Sequence, residues 1–242
     1  MKYGEPEVRQ AIACFGRSHV GLIRPENEDS FGLAADRGIL IVADGMGGYE
    51  NGRYVADCTV DAVCQIVPAI DLDGTLERTR DVLTRINQEV WRRSQESRTK
   101  MGATFVAAVI DRGRLGILWA GDSRAYLWRD ANLYCLTRDH SAVQQLIDFG
   151  SIGLFEAFDH PMRHVVVRAL GMTAELRVEM GRHAVMPDDI LLLSTDGLHG
   201  AVSDDDIERC LSRHGVDALD PLIGLALRAG GKDNVTTVLM KF

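Results

Sequence analysis

No cysteine in this sequence has a partner at a metal-binding or redox spacing. The five, Cys14, Cys58, Cys64, Cys135 and Cys210, are odd in number and show neither a CxxC pair nor zinc-finger spacing. That excludes a disulfide framework and structural zinc, and it predicts a reducing, cytoplasmic setting. No dense lysine or arginine block offsets the net charge of −8, so neither nucleic acid nor an anionic membrane is expected as the main partner. No apolar run approaches the roughly 20 residues that a membrane helix requires, and the opening "MKYGEPEVRQ" lacks the apolar core of a signal peptide. A soluble, unexported monomer is the expectation. HExxH is missing and the seven histidines are scattered, which leaves no zinc-protease motif. Without a Pro- or Ser-rich linker, an internal repeat or a low-complexity segment, residues 1–242 are expected to form one unit with ample core.

What the chain does have is apolar runs without polar alternation. "GILIVAD" (38–44), "ATFVAAVID" (103–111) and "ILLLSTD" (190–196) read as strands covered on both faces. "RLGILWA", "RAYLWR" and "NLYCLT", separated by turn signals, read as an antiparallel meander. Helical periodicity predicts one pair over 53–67, with Ala56, Val60, Val63 and Val67 on a shared face, and 75–93. A second pair is predicted over 203–213, opened by Ser203 as N-cap, and 217–229, before a last strand in "NVTTVLMKF". The acidic runs Asp188-Asp189 and Asp204-Asp205-Asp206 read as solvated helix starts. This order does not alternate as βαβ units do. It predicts an α+β fold, a four-layer αββα sandwich of two mainly antiparallel sheets covered by helix pairs, with a flap excursion at about 141–176.

Several core strands end in an acid. "ILIVADGMGG" runs into Asp44, "GILWAGDS" into Asp122 and "ILLLSTDG" into Asp196, while Asp233 in "GGKDNVTTVLM" precedes the final strand. Each alone is a common turn residue. Gathered at one rim, they would repel unless a cation held them, and aspartates with main-chain carbonyls and water suit Mg²⁺ or Mn²⁺. Upstream, "VGLIRPENEDSF" offers Arg24, and an arginine beside a carboxylate-held metal pair is what a phosphate monoester needs.

The ordered set "VGLIRPENEDSF", "VADGMGG", "MGATFVA", "GDSRAYLWR", "LTRDHSAVQQL", "HPMRHVVVRALG", "LLLSTDGL" and "GKDNVT" resembles the metal-dependent protein phosphatases of the PP2C type, in particular the short bacterial serine/threonine phosphatases. The likeness covers nearly the whole chain. It implies that Asp44 bridges two tightly held Mg²⁺ or Mn²⁺ ions, that the Gly45 carbonyl ligates one, and that Asp196 and Asp233 ligate the other. By the same resemblance Asp122 and Asp196 hold a weaker third ion, Arg24 binds substrate phosphate, Glu28 and Asp29 act through metal-bound waters, and Asn234 orients Asp233. The glycines 45, 47 and 48 would let the main chain approach the ions. Attack on phosphoserine or phosphothreonine by a water bridging the metals, without a phosphoenzyme, is the implied mechanism. Phosphoproteins are the implied partners, and such bacterial relatives usually oppose a serine/threonine kinase, sometimes one controlling a secretion system.

Two positions depart from the family pattern. Animal members carry a histidine two places after the bridging aspartate, proposed as the acid for the leaving oxygen; here Met46 stands there, as is usual in bacterial relatives, and a thioether cannot donate a proton. His164 occupies a flap position that is often asparagine. Other chemistries fit less well. No cysteine is followed six positions later by arginine, which removes thiol phosphatase chemistry. The lysine of "RAGGKDN" is followed by Asp233 rather than Ser or Thr, which removes a phosphate loop. A two-metal nuclease would need a basic track. A catalytically silent binding module would be expected to have lost ligands, and every metal-binding acid is present.

Overall fold

The computed structural model describes residues 13–47, 50–153, 156–157 and 160–242. Two five-stranded antiparallel sheets stack face to face. One has the order β1 (Cys14–His19), β10 (Val235–Lys241), β9 (Ile190–Ser194), β6 (Arg124–Arg129), β7 (Asn132–Cys135). The other runs β2 (Asp29–Ala34), β3 (Ile39–Met46), β4 (Gly102–Asp111), β5 (Arg114–Ala120), β8 (Glu179–Ala184). Helices α1 (Glu50–Cys64) and α2 (Leu72–Ser97) cover the β3-containing sheet; α5 (Asp204–His214) and α6 (Leu219–Arg228) cover the other. Short helices α3 (Ala142–Asp148) and α4 (Asp196–His199) complete the set used below.

The absence of polar alternation has a direct cause in this stacking. Along β3, Ile39, Ile41 and Ala43 pack on α1 and α2, whereas Leu40 and Val42 face the opposite sheet. Along β9, Ile190 and Leu192 meet α5 and α6, and Leu191 and Leu193 meet the other sheet. Both faces of a central strand are therefore core, and three apolar clusters fill the three interfaces between four layers. Ser203 caps α5 as expected, its side chain accepting from the Asp206 N–H.

Four expectations need correction. The run 114–137 is not one meander: β5 pairs with β4 and β8, while β6 pairs with β9 and β7. The chain crosses between sheets at Gly121-Asp122, where Gly121 has φ +122°, and this crossing carries Asp122 to the rim. Val67 is not on the buried helix face; α1 stops at Cys64 and Val67 is 70% exposed. Asp188-Asp189 opens no helix. It is the turn before β9, and Asp189 is buried, accepting from Arg129 Nε at 2.9 Å and Nη2 at 2.6 Å. Finally, β1, β8 and α3 are elements that the sequence patterns did not predict. The region 141–176 does leave the sandwich, starting with α3, and its two ends are closed by the bridges Ser141–Val166 and Ala103–Leu170.

These assignments predict unequal stabilities. Leu192→Ala, in the fully buried layer beneath α5 and α6, should cost about 2–5 kcal/mol. Ser203→Ala should cost about 1 kcal/mol. Val67→Ala should stay within about 0.5 kcal/mol of the parent. Urea denaturation monitored by tryptophan fluorescence measures all three; a Val67 loss comparable to that of Leu192 would contradict the helix boundary.

Candidate active site

Every strand-terminal acid singled out in the sequence reaches one rim of the sandwich. A cavity of about 920 Å³ opens there, and its walls include Arg24, Glu28, Asp44, Gly45, Asp122, Asp196, Asp233 and Asn234. Asp29 lies behind them, buried on the first position of β2 and directly opposite Asp44 on β3. Like charges facing across a ladder are unfavourable, and here the opposition is built into the register.

Close main-chain approaches bring the acids together. At Gly45 a Cβ would collide with the main chain of Gly52 and of Glu28; at Gly197 it would collide with the Asn234 carbonyl. The first contact seats β3 against the Arg24 loop and α1, and the second seats Asp196 beside Asp233-Asn234. Gly47 has φ +130°, which favours glycine, whereas Gly48 lies outside the described residues. Arg24 rides on the loop between β1 and β2, and its Nη2 donates to Asp233 Oδ2 at 2.8 Å. Asn234 secures this loop: its Nδ2 donates to the carbonyls of Val20 (2.8 Å) and Glu26 (2.9 Å), and its Oδ1 accepts from the Glu28 N–H (2.8 Å). It reaches Asp233 only through its main-chain N–H, which donates to Oδ1 at 2.9 Å. The side chain of Asn234 thus orients the Arg24 loop, where the resemblance assigned it to Asp233.

The electrostatics are those of crowded carboxyl groups with too little positive charge. Burial, opposed by hydrogen bonds from Thr236 and Thr195, pushes Asp29 up to about 7. Burial and then the neighbouring Asp233 push Asp196 up to about 6, against a hydrogen bond with Asp44. Asp44 is held well above the usual carboxylate range by burial and then by Asp29, Asp196, Asp122 and Asp233. Asp122 is raised likewise, by burial first and Asp196 next. Asp29 Oδ1 is buried with no hydrogen-bond partner. Among the described residues no three acidic, histidine or cysteine side chains converge on a single ion position; the donors stand in smaller groups around the cavity, with the Gly45 carbonyl beside them. All are hard oxygen donors, and the unsatisfied Asp29 oxygen among crowded carboxyl groups fits a divalent cation completed by water.

The sequence reading missed several contributors. Thr195 Oγ1 donates to Asp29 Oδ2 at 2.9 Å and accepts from the Thr236 N–H at 3.0 Å. Thr104 pairs with Ser123 hydroxyl to hydroxyl at 2.7 Å. Threonine immediately before Asp196 was the one available signal. At the mouth, Arg163, His164 and Lys232 join the lining; Arg163 Nε donates to His164 Nε2 at 2.8 Å. Burial, followed by Arg163, lowers the pKa of this imidazole. Met46 is part of the wall.

With fold and site in view, comparison with known proteins is decisive. The Protein phosphatase 2C family matches over residues 16–240, and the chain belongs to that family. It is 32% identical over 239 residues to the serine/threonine phosphatase stp of Listeria monocytogenes serotype 4b, covering 93% of this chain and 94% of that one. Among solved structures it is similar to PppA, described as a key regulatory component of T6SS in Pseudomonas aeruginosa, with a TM-score of 0.89, 33% identity and coverage of 96% and 98%. It also resembles the catalytic domain of the serine threonine protein phosphatase PstP in complex with two manganese ions, with a TM-score of 0.82, 35% identity and coverage of 95% and 97%.

The raised carboxyl groups give the metal-depleted protein a distinctive pH response. A carboxyl group whose folded pKa exceeds its unfolded value binds more protons when folded, so stability falls as pH rises between the two values. With Asp196 at about 6 and Asp29 at about 7, against about 3.9 unfolded, the EDTA-treated protein should lose stability as pH rises from 4 to 7. Thermal melts across that range should show the fall, and Asp44→Asn should flatten it. An unchanged slope in Asp44→Asn would mean that its charge is not part of the cluster.

Proposed function

We infer that this chain, a bacterial serine/threonine protein phosphatase of the 2C type, hydrolyses phosphoserine and phosphothreonine on partner proteins by direct attack of water, using divalent cations held at the Asp44 rim. The observation that carries the reading is the juxtaposition of Arg24, which donates to Asp233, with a cavity wall formed by Asp44, Asp122, Asp196 and Asp233. In this reading Asp44, the Gly45 carbonyl, Asp196 and Asp233 would hold a pair of Mg²⁺ or Mn²⁺ ions. Asp122 with Asp196 would hold a weaker third ion, and Glu28 and Asp29 would act through water. When bound, the ions supply charge that polarises the phosphoryl group and brings the pKa of a water toward neutrality.

The chain's own residues do the rest. Arg24 presents a guanidinium whose donors fit two phosphate oxygens; Asp233 holds it ready, and Asn234 fixes the loop that carries it. Thr195 keeps one oxygen of Asp29 occupied and leaves the other available. Met46 lines the wall without a proton to donate, so protonation of the leaving oxygen falls to water in the region of Asp122. The catalytic unit comprises the whole sandwich, and a serine/threonine kinase with its targets is the proposed counterpart in the cell. No helix among the described residues is long and apolar enough to cross a membrane.

Hydrolysis of a phosphothreonine peptide that EDTA abolishes and Mn²⁺ restores is the expected result; inactivity with every divalent ion would select a silent binding module. Asp44→Asn and Asp196→Asn should each abolish turnover and weaken calorimetric Mn²⁺ binding. Arg24→Ala removes charge-assisted hydrogen bonds worth about 1.5–3 kcal/mol and should lower kcat/KM by about ten- to hundredfold.

Met46→Leu should alter peptide turnover by less than about tenfold, below the share of a positioned general acid. Asp122→Ala should impair the peptide more than p-nitrophenyl phosphate, whose phenolate leaves unaided. Equal losses on both substrates would remove Asp122 from leaving-group protonation.

A further inference from the structure

We propose that His140 is a positioning residue that ties the turn bearing Asp122 to the root of the flap, so that acid and flap are held as one unit. The ring does not line the cavity. It is buried behind Gly121, stacked on Trp119 with centroids 6.2 Å apart and planes 8° from parallel. Nδ1 accepts from the Gly121 N–H at 3.0 Å, and the main-chain N–H of His140 donates to the Gly121 carbonyl at 2.8 Å. Because Nδ1 is an acceptor, the neutral ring carries its proton on Nε2. That nitrogen lies 3.0 Å from Arg168 Nη1 and 3.2 Å from Glu179 Oε1, and Arg168 Nη1 itself donates to Glu179 Oε1 at 2.8 Å, so this edge of the ring packs against both members of the Arg168–Glu179 pair.

Both ends of the flap close on this residue. The His140 carbonyl accepts from the Val167 N–H at 2.8 Å, and the next residues pair as Ser141–Val166 and as Ala142 N–H to the Val165 carbonyl at 2.8 Å. Arg168 leaves the flap on the far side and joins Glu179 at the first position of β8. Gly121 is thus held by His140 on one side, and on the other its Cα abuts Thr104, where a Cβ would collide. The turn has no room to shift without moving the imidazole, and the imidazole cannot shift without opening the flap root. The two ring nitrogens divide the work: Nδ1 fixes the Asp122 turn, and Nε2 fixes the flap.

Shortened and lengthened amides separate the two roles. In His140→Asn the side-chain oxygen stands near the place of Nδ1, retaining the acceptor for Gly121 but falling short of Glu179. In His140→Gln the amide reaches toward Glu179 and gives up Nδ1. Two readouts apply to the full chain: calorimetric titration with Mn²⁺, which follows the weak ion assigned to Asp122, and limited trypsin digestion, which follows exposure of Arg163 and Arg168 in the flap. His140→Gln should weaken the weak ion by about tenfold, the scale of one lost hydrogen bond, with digestion near the parent rate. His140→Asn should speed flap cleavage by about tenfold and keep the weak ion. Circular dichroism and two tightly held Mn²⁺ ions should match the parent in both. Variants that lose both properties together, or neither, would overturn the division and reduce His140 to a packing partner of Trp119. The Asp122 arm rests on the phosphatase reading: absence of any weak Mn²⁺ site in the parent chain would refute that assignment, and unaltered digestion of His140→Asn would then refute the flap role independently.

Discussion

Mutual repulsion among buried carboxyl groups is the constraint around which this structure is organised. The β2–β3 register sets Asp29 against Asp44, and neighbouring loops add Asp122, Asp196 and Asp233. Burial makes the problem worse, because it removes the water that would screen these charges. The arrangement persists because the surroundings are rigid rather than because it is comfortable. Asp29 receives a threonine hydroxyl, and Asp233 receives Arg24 and a main-chain N–H, while burial and like charge raise Asp44 and Asp196 above the usual carboxylate range. Such a cluster favours cations, because a divalent ion among these oxygens relieves the repulsion that burial intensifies.

The layers explain why the acids meet at one rim. A strand buried on both faces cannot carry a charge along its length, so its polar residues are pushed to the ends. β3 and β9 end there, β10 begins there, and the crossover from β5 to β6 passes over the same edge. The loop that carries Arg24 enters from β1, the neighbour of β10, which is why one asparagine at the start of β10 can hold it with three hydrogen bonds. Strand ends thus converge although Asp44, Asp122, Asp196 and Asp233 lie far apart in sequence.

This distribution also decides what could be read from the chain. The apolar runs at 38–44, 103–111 and 190–196 announced two-faced strands, and the acids that end them announced the rim, because burial and charge are local properties of a segment. Partnership between strands is not local. The segments 114–120 and 124–129 have the same texture yet pair in different sheets, with the positive φ of Gly121 and its close approach to Thr104 at the crossing. Val67 kept the helical period but lay beyond the last hydrogen-bonded turn of α1. Asp189 looked like surface charge until Arg129, sixty positions away in the chain, was seen to grip both its oxygens. β1 and β8, "CFGRSH" and "EMGRHA", hold too few apolar residues to signal a strand because each is a sheet edge or near one. The tie between Asn234 and the Arg24 loop was equally invisible, since it spans more than two hundred residues.

The balance of charge at the rim orders the events that the site can support. Ionised, Asp44, Asp122, Asp196 and Asp233 would repel a phosphate dianion, and the chain's net charge of −8 adds to that barrier. On the proposed assignment divalent ions offset the charge of these carboxylates. Only then do Arg24 and the cationic residues at the mouth, Arg163 and Lys232, set the sign of the local field. On that assignment cation binding precedes productive phosphate binding, since without cations the guanidinium of Arg24 rests on Asp233. The same reasoning accounts for the placement of Arg24 on a loop secured by a neutral amide instead of another charge. An acid in the place of Asn234 would compete with phosphate for the guanidinium, whereas the asparagine fixes the loop while leaving the charge balance to the ions.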